Sequence, residues 1–109
     1  MQRLNLAGTL MLGKKKCFHF VIINDFCAEF TPIARDTSIY PFGCDPKEFK
    51  NYKENLVTFF YDRTTPPTQQ YLDIYLKELG MKYYEMGTLI RKQKGRAMSD
   101  PFWLVPDNE

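Results

Sequence analysis

Between residues 3 and 35 the apolar positions fall in short runs separated by polar corners. The stretch RLNLAGTLML alternates loosely until Gly13, which is followed by a basic corner of Lys14, Lys15 and Lys16. Residues 17–23 (CFHFVII) are aromatic and β-branched on both faces, which predicts a strand buried on both sides. Asn24-Asp25 predicts a turn, and FCAEFTPIAR a returning antiparallel strand that Pro32 confines to an edge or an end. The pattern therefore predicts a meander of about three antiparallel strands in residues 1–35.

The pattern then changes period. DTSIYPFGCDP, residues 36–46, carries two prolines and a glycine and predicts a surface loop. Asp45-Pro46 has the form of an N-cap with proline in the first helical position, and Phe49, Tyr52, Leu56, Phe59 and Phe60 follow at helical spacing. DRTTPPTQQ separates this helix from a second, with Thr64 or Thr65 as its cap and Pro66-Pro67 in its first turn. Leu72, Tyr75, Leu76 and Leu79 supply the second apolar stripe, which Gly80 is placed to terminate in a left-handed conformation. A third helix is expected from about Lys82 to Lys94, with Tyr83, Met86, Leu89 and Ile90 inward and Gly87 weakening it. Residues 96–109 read as an extended aromatic tail containing FWLV and the single tryptophan. Strands first and helices second imply one α+β domain over residues 1–109: strand-rich 1–35, loop 36–46, helical 47–95, tail 96–109.

Composition narrows the function classes. Aromatic residues make up 16% of the 109 positions, which favours a packed core or a recognition surface over disorder. A net charge of +2 does not by itself imply nucleic acid. Cys17, Cys27 and Cys44 form no paired spacing and read as reduced thiols in a cytoplasmic protein. No signal peptide opens the chain, and no apolar run approaches the roughly 20 residues of a membrane helix.

Catalytic parts are sparse. His19, the only histidine, lies in the most apolar strand and suits a core or cross-strand role better than that of a general base. A zinc site needs about four Cys, His or acidic ligands, and the chain has no close cysteine pair. The six glycines never cluster, so no phosphate-cradling loop exists. No catalytic, metal or cofactor site is expected; His19, Cys44 and Asp45 would be the candidates for any independent enzyme activity. RKQKGR places Arg91, Lys92, Lys94 and Arg96 within six residues. It reads as a solvated helix C-terminus, with nucleic-acid phosphates as the alternative partner.

Two stretches carry a family resemblance. FFYDRTTPPTQQYLDIYLKELGM, residues 59–81, resembles a segment near the front of HipA-like Ser/Thr kinases of low-GC Gram-positive bacteria, matching it at Arg63, Pro66, Thr68, Leu79 and Gly80. MSDPFWLVP, residues 98–106, is similar to a second segment of that family, matching at Ser99, Asp100, Trp103 and Pro106, with Phe102 and Leu104 as close substitutes. Tyr61, Asp62, Gln69 and Pro101 depart from it. The chain ends before any ATP-binding or catalytic residues of such a kinase would appear. The resemblance therefore implies a non-catalytic accessory or antitoxin-like module that binds a HipA-like kinase polypeptide, in cis or in trans. Arg63, Pro66, Ser99, Asp100, Phe102, Trp103 and Leu104 are the partner-binding residues it implies. The tail either docks in a groove of that partner or packs across its own sheet.

Overall fold

The computed structural model describes residues 3–63, 71–96 and 100–107. Four strands, β1 (Leu6–Leu12), β2 (Lys15–Ile23), β3 (Phe26–Pro32) and β4 (Phe102–Pro106), form one antiparallel sheet in the order β3-β2-β1-β4. Three helices, α1 (Tyr52–Tyr61), α2 (Leu72–Glu78) and α3 (Met86–Gln93), lie between β3 and β4 in the chain. The architecture is α+β, as the period change implies.

The sheet has one strand more than the three expected. The fourth is the C-terminal aromatic segment, paired with β1 from Gly8↔Pro106 to Leu12↔Phe102. Without it, β1 would leave a row of backbone donors and acceptors unpaired along a sheet edge. Asn24 and Asp25 join β2 to β3 with φ of 50° and 68°, the left-handed pair of a type I′ hairpin, whose twist matches that of the strands. The Asp25 carboxylate adds tertiary bonds, accepting the Leu4 amide at 2.7 Å and the Tyr61 hydroxyl.

β2 was expected to be buried on both faces, and it is buried on one. Phe18, Phe20 and Ile22 are buried, whereas His19 and Val21 are half-buried and Ile23 is 51% exposed. α1 and α3 contribute to a single core on the inner face, so aromatic and β-branched content in β2 does not signal two-sided burial. In that core Phe20 meets Phe60 of α1 with centroids 5.0 Å apart, and Phe18 meets Phe30 at 4.5 Å and Tyr40 at 5.0 Å. Such pairs contribute about 0.5–1.5 kcal/mol each beyond their area. Leu56, Ile90, Cys44 and Leu104 belong to the same cluster.

Two helices begin later than the sequence pattern suggests. Asp45 does organise a turn: its carboxylate accepts the Lys47 amide at 2.9 Å, and its carbonyl accepts from Glu48 and Phe49. The turn stops there, and regular bonding restarts with the Asn55 amide on the Asn51 carbonyl. Asn55 also donates to the Gly43 carbonyl at 2.8 Å, fastening the loop to the helix. α3 starts at Met86 because Glu85 caps it, its carboxylate accepting from the amides of Gly87 and Thr88. Tyr83 is thereby left outside the helix and 80% exposed. α2 ends as expected, with Gly80 at φ 75° and the Met81 and Gly80 amides bonded to Leu76 and Lys77. The expected caps Thr64 and Thr65, with Pro66 and Pro67, lie outside the described residues.

Gly87 has a packing role that its helix propensity conceals. A Cβ there would lie 2.1 Å from the Asn5 carbonyl oxygen, so α3 approaches β1 only because that atom is absent. Alanine would favour the helix by about 1 kcal/mol in isolation, but forcing backbone apart typically costs about 1–3 kcal/mol. Gly87→Ala is therefore expected to lower stability in urea titration, against the sign that propensity gives.

Candidate functional site

The two stretches that carry the family resemblance meet around one side chain. Arg63 follows the C-terminus of α1, and its guanidinium forks onto Asp100, with Nη1 donating to Oδ2 at 2.8 Å and Nη2 to Oδ1 at 2.5 Å. Nη2 also donates to the Phe102 carbonyl at 3.1 Å, and Nε to the Gly95 carbonyl at 2.7 Å. The guanidinium carbon sits 4.4 Å from the Phe59 ring centroid. Arg63 is 5% exposed and Asp100 28%, so this is a largely desolvated, bidentate pair. Asp100 Oδ1 also accepts the Phe102 amide at 3.0 Å, which turns the chain around Pro101 into β4.

The clamp fixes which side chains β4 shows. Leu104 points inward and is fully buried. Trp103 and Val105 point outward, half-buried and 43% exposed. They extend two cross-strand rows on the outer face: Lys16, Met11 and Trp103, then His19, Thr9 and Val105. Val21 and Ala7 form the next row, and Asp107 reaches His19 Nε2 at 2.8 Å. Trp103 is anchored, its indole N–H donating to the Gly13 carbonyl at 2.7 Å and the Arg96 guanidinium 5.1 Å from its ring.

The residues singled out in the sequence thus have different positions. Arg63 and Asp100 bond each other, Leu104 belongs to the chain's own core, and Phe102 is half-buried with its ring edge-on to Phe59 at 5.8 Å. Trp103 is at the surface. Pro66 and Ser99 lie outside the described residues. The basic segment does not form one surface. Arg91 is bonded to Thr88 Oγ1 at 2.8 Å and lies 3.6 Å from Glu85, near the start of β1 at Asn5, whereas Arg96 lies over Trp103 near its end. Lys92 and Lys94 are exposed. Sequence reasoning missed Val105 and Lys16, whose place on the outer face follows only from strand register.

The candidate nucleophiles sit in poor surroundings for chemistry. Cys44 is fully buried, and burial pushes its thiol up to about 12; Cys17 is pushed up to about 11 and Cys27 also rises, for the same reason. His19 lies on the outer face against Asp107, and Asp45 holds the Thr37 hydroxyl at 2.9 Å and the Lys47 amide. These residues are not drawn together into a cleft. Among the described residues no group of three His, Cys, Asp or Glu could hold a metal ion, and no helix is long and apolar enough to cross a membrane.

Three outcomes follow from this geometry. Asp100→Asn removes the charge that compensates a nearly buried guanidinium, and breaking such a pair costs about 3–5 kcal/mol when both groups are fully buried. Because Asp100 is partly exposed, a loss near the lower end, about 3 kcal/mol, is expected in denaturant titration. The thiols stay protonated in the folded state well above the ordinary cysteine range. Unfolded thiols ionise near pH 9, so the folded state holds more protons between about pH 9 and 12, and stability falls with rising pH across that window. In a disulfide-exchange assay at about pH 8 the native protein should react slowly, and fully once unfolded.

Compared with known proteins, the chain matches no family model, no curated protein and no solved structure.

Proposed function

We propose that this chain is a non-catalytic accessory or antitoxin-like module that binds a HipA-like Ser/Thr kinase polypeptide, in cis or in trans, through the open face of its sheet. The observation that carries the reading is the Arg63–Asp100 pair. It joins the two stretches that resemble the kinase family, so the resemblance lies in one physical device rather than two scattered motifs.

That device holds β4 with Leu104 inward and Trp103 and Val105 outward. The residues implied by the resemblance then divide into two roles. Arg63, Asp100, Phe102 and Leu104 position the strand, and Trp103 makes the contact with Val105 beside it. Fully burying a side chain of the Val or Leu class contributes about 1.5–3 kcal/mol, so Trp103 and Val105, with Val21 two strands away on the same face, supply enough apolar surface for a specific contact. Binding is by contact alone.

The test is co-expression with the kinase-like polypeptide encoded next to, or continuous with, this reading frame, followed by affinity capture. A stable complex is expected, weakened at least tenfold by Val105→Asp or Trp103→Ala, with circular dichroism confirming that each variant folds. Absence of any complex at micromolar concentrations, or a complex indifferent to both substitutions, overturns the reading.

A further inference from the structure

We infer that the hairpin corner of the open sheet face binds single-stranded nucleic acid, with Trp103 and Arg96 as the stacking platform and Lys14 and Lys16 as phosphate contacts. The sequence places these residues far apart, and only the fourth strand brings them together. Met11 pairs with Lys16 on one side and with Trp103 on the other, so the lysine and the indole flank one buried methionine on the same face. Gly13, whose carbonyl accepts the indole N–H, adjoins Lys14 in the turn. Arg96 covers the indole from beyond β4 and is itself exposed. Lys94 borders the same edge, its carbonyl accepting the Leu104 amide at 2.7 Å.

The charges of this face are sorted along the strands. Lys14, Lys16 and Arg96 stand at the hairpin end, and among the described residues none of them is in an ion pair. The acids Glu29 and Asp107 stand toward the opposite end, Glu29 paired in register with Val21 and Asp107 bonded to His19. Asp100 is engaged by Arg63, and Asp36 lies on the side of Lys15. Lys16 on β2 and the indole on β4 are two strand spacings apart, roughly 10 Å, and Arg96 lies beyond the indole. An indole with a guanidinium over its ring and lysines beside it matches a polymer that alternates π faces with phosphates, and base stacking on aromatics tolerates any sequence. An acidic peptide would use the cations and leave the stack uncovered.

The experiment is fluorescence anisotropy of the full chain with labelled oligouridylate and oligodeoxythymidylate of about 12 nucleotides. With Lys14 and Lys16 each neutralising a phosphate, the log–log salt slope should be about −1.4, so affinity should fall about sevenfold between about 50 and 200 mM salt. Lys16→Glu with Arg96→Glu should weaken binding more than tenfold, whereas Lys47→Glu with Lys92→Glu, exposed cations elsewhere, should change it less than twofold. Trp103 emission should be quenched on binding. No binding at about 50 mM salt, or equal loss in both charge-reversed pairs, overturns the inference. Equal competition by polyglutamate, or equal binding to phosphatidylserine vesicles, would also overturn it, in favour of an acidic polypeptide or a membrane surface. The charge reversals leave both Trp103 and Val105 in place, and the nucleic-acid titration is run without the kinase polypeptide, so failure of this inference is distinguishable from failure of the kinase-binding reading.

Discussion

A buried guanidinium must be neutralised, and in this protein that requirement determines where the C-terminal strand lies. Arg63 reaches Asp100, Gly95 and Phe102 at once, spending four of its five N–H donors on groups that follow it by 32 to 39 residues. A hydrophobic pair of equal volume could contribute as much stability, because desolvating two charges offsets most of their attraction. What the ion pair adds is position. A β-strand offset by one residue shows the opposite face to the core. The fork on Asp100 and the adjoining Phe102 carbonyl fix where β4 begins, and with it that Leu104 enters the core while Trp103 and Val105 do not.

That coupling also explains the limits of reading the chain in order. The hydrophobic pattern suffices for β1 to β3, for the Asn24-Asp25 turn and for the Gly80 helix end, because each depends on neighbouring residues. β4 depends on an edge about ninety residues away, as the Trp103–Gly13 bond shows, and nothing local distinguishes a strand that pairs at such range from an extended tail. The one-sided burial of β2 was hidden for a related reason. His19 and Val21 face outward because of what the helices leave uncovered, and composition does not encode coverage.

The helix starts show a different kind of error. Asp45-Pro46 has good capping chemistry and uses it, but on one isolated turn. Capping rules describe which residue satisfies free amides, and they do not say how long the helix beyond will be. For α3 the true cap is Glu85, a residue outside the preferred Ser, Thr, Asp and Asn set, whose carboxylate accepts from the Gly87 and Thr88 amides. As for the residues that the resemblance singles out, their places in the fold could not be read from the motifs. Arg63 and Asp100 work on each other, and the surface they prepare includes Val105 and Lys16, which no motif marks.

The outer face therefore has two chemical halves that share Trp103. Toward Asp107 it offers Val105, Val21 and Ala7, a surface suited to a protein partner; toward the hairpin it offers Lys14, Lys16 and Arg96. If a kinase polypeptide occupies the first half and nucleic acid the second, both must use the same indole. Where the two compete for that ring, their binding free energies are coupled, and by linkage each ligand weakens the other to the same degree. A full contest for Trp103 would make the two complexes mutually exclusive. A partner that leaves the ring under Arg96 in place would make them additive instead. The Gly13 carbonyl favours the second case, because it anchors the indole N–H at 2.7 Å and so fixes the ring whichever half is occupied.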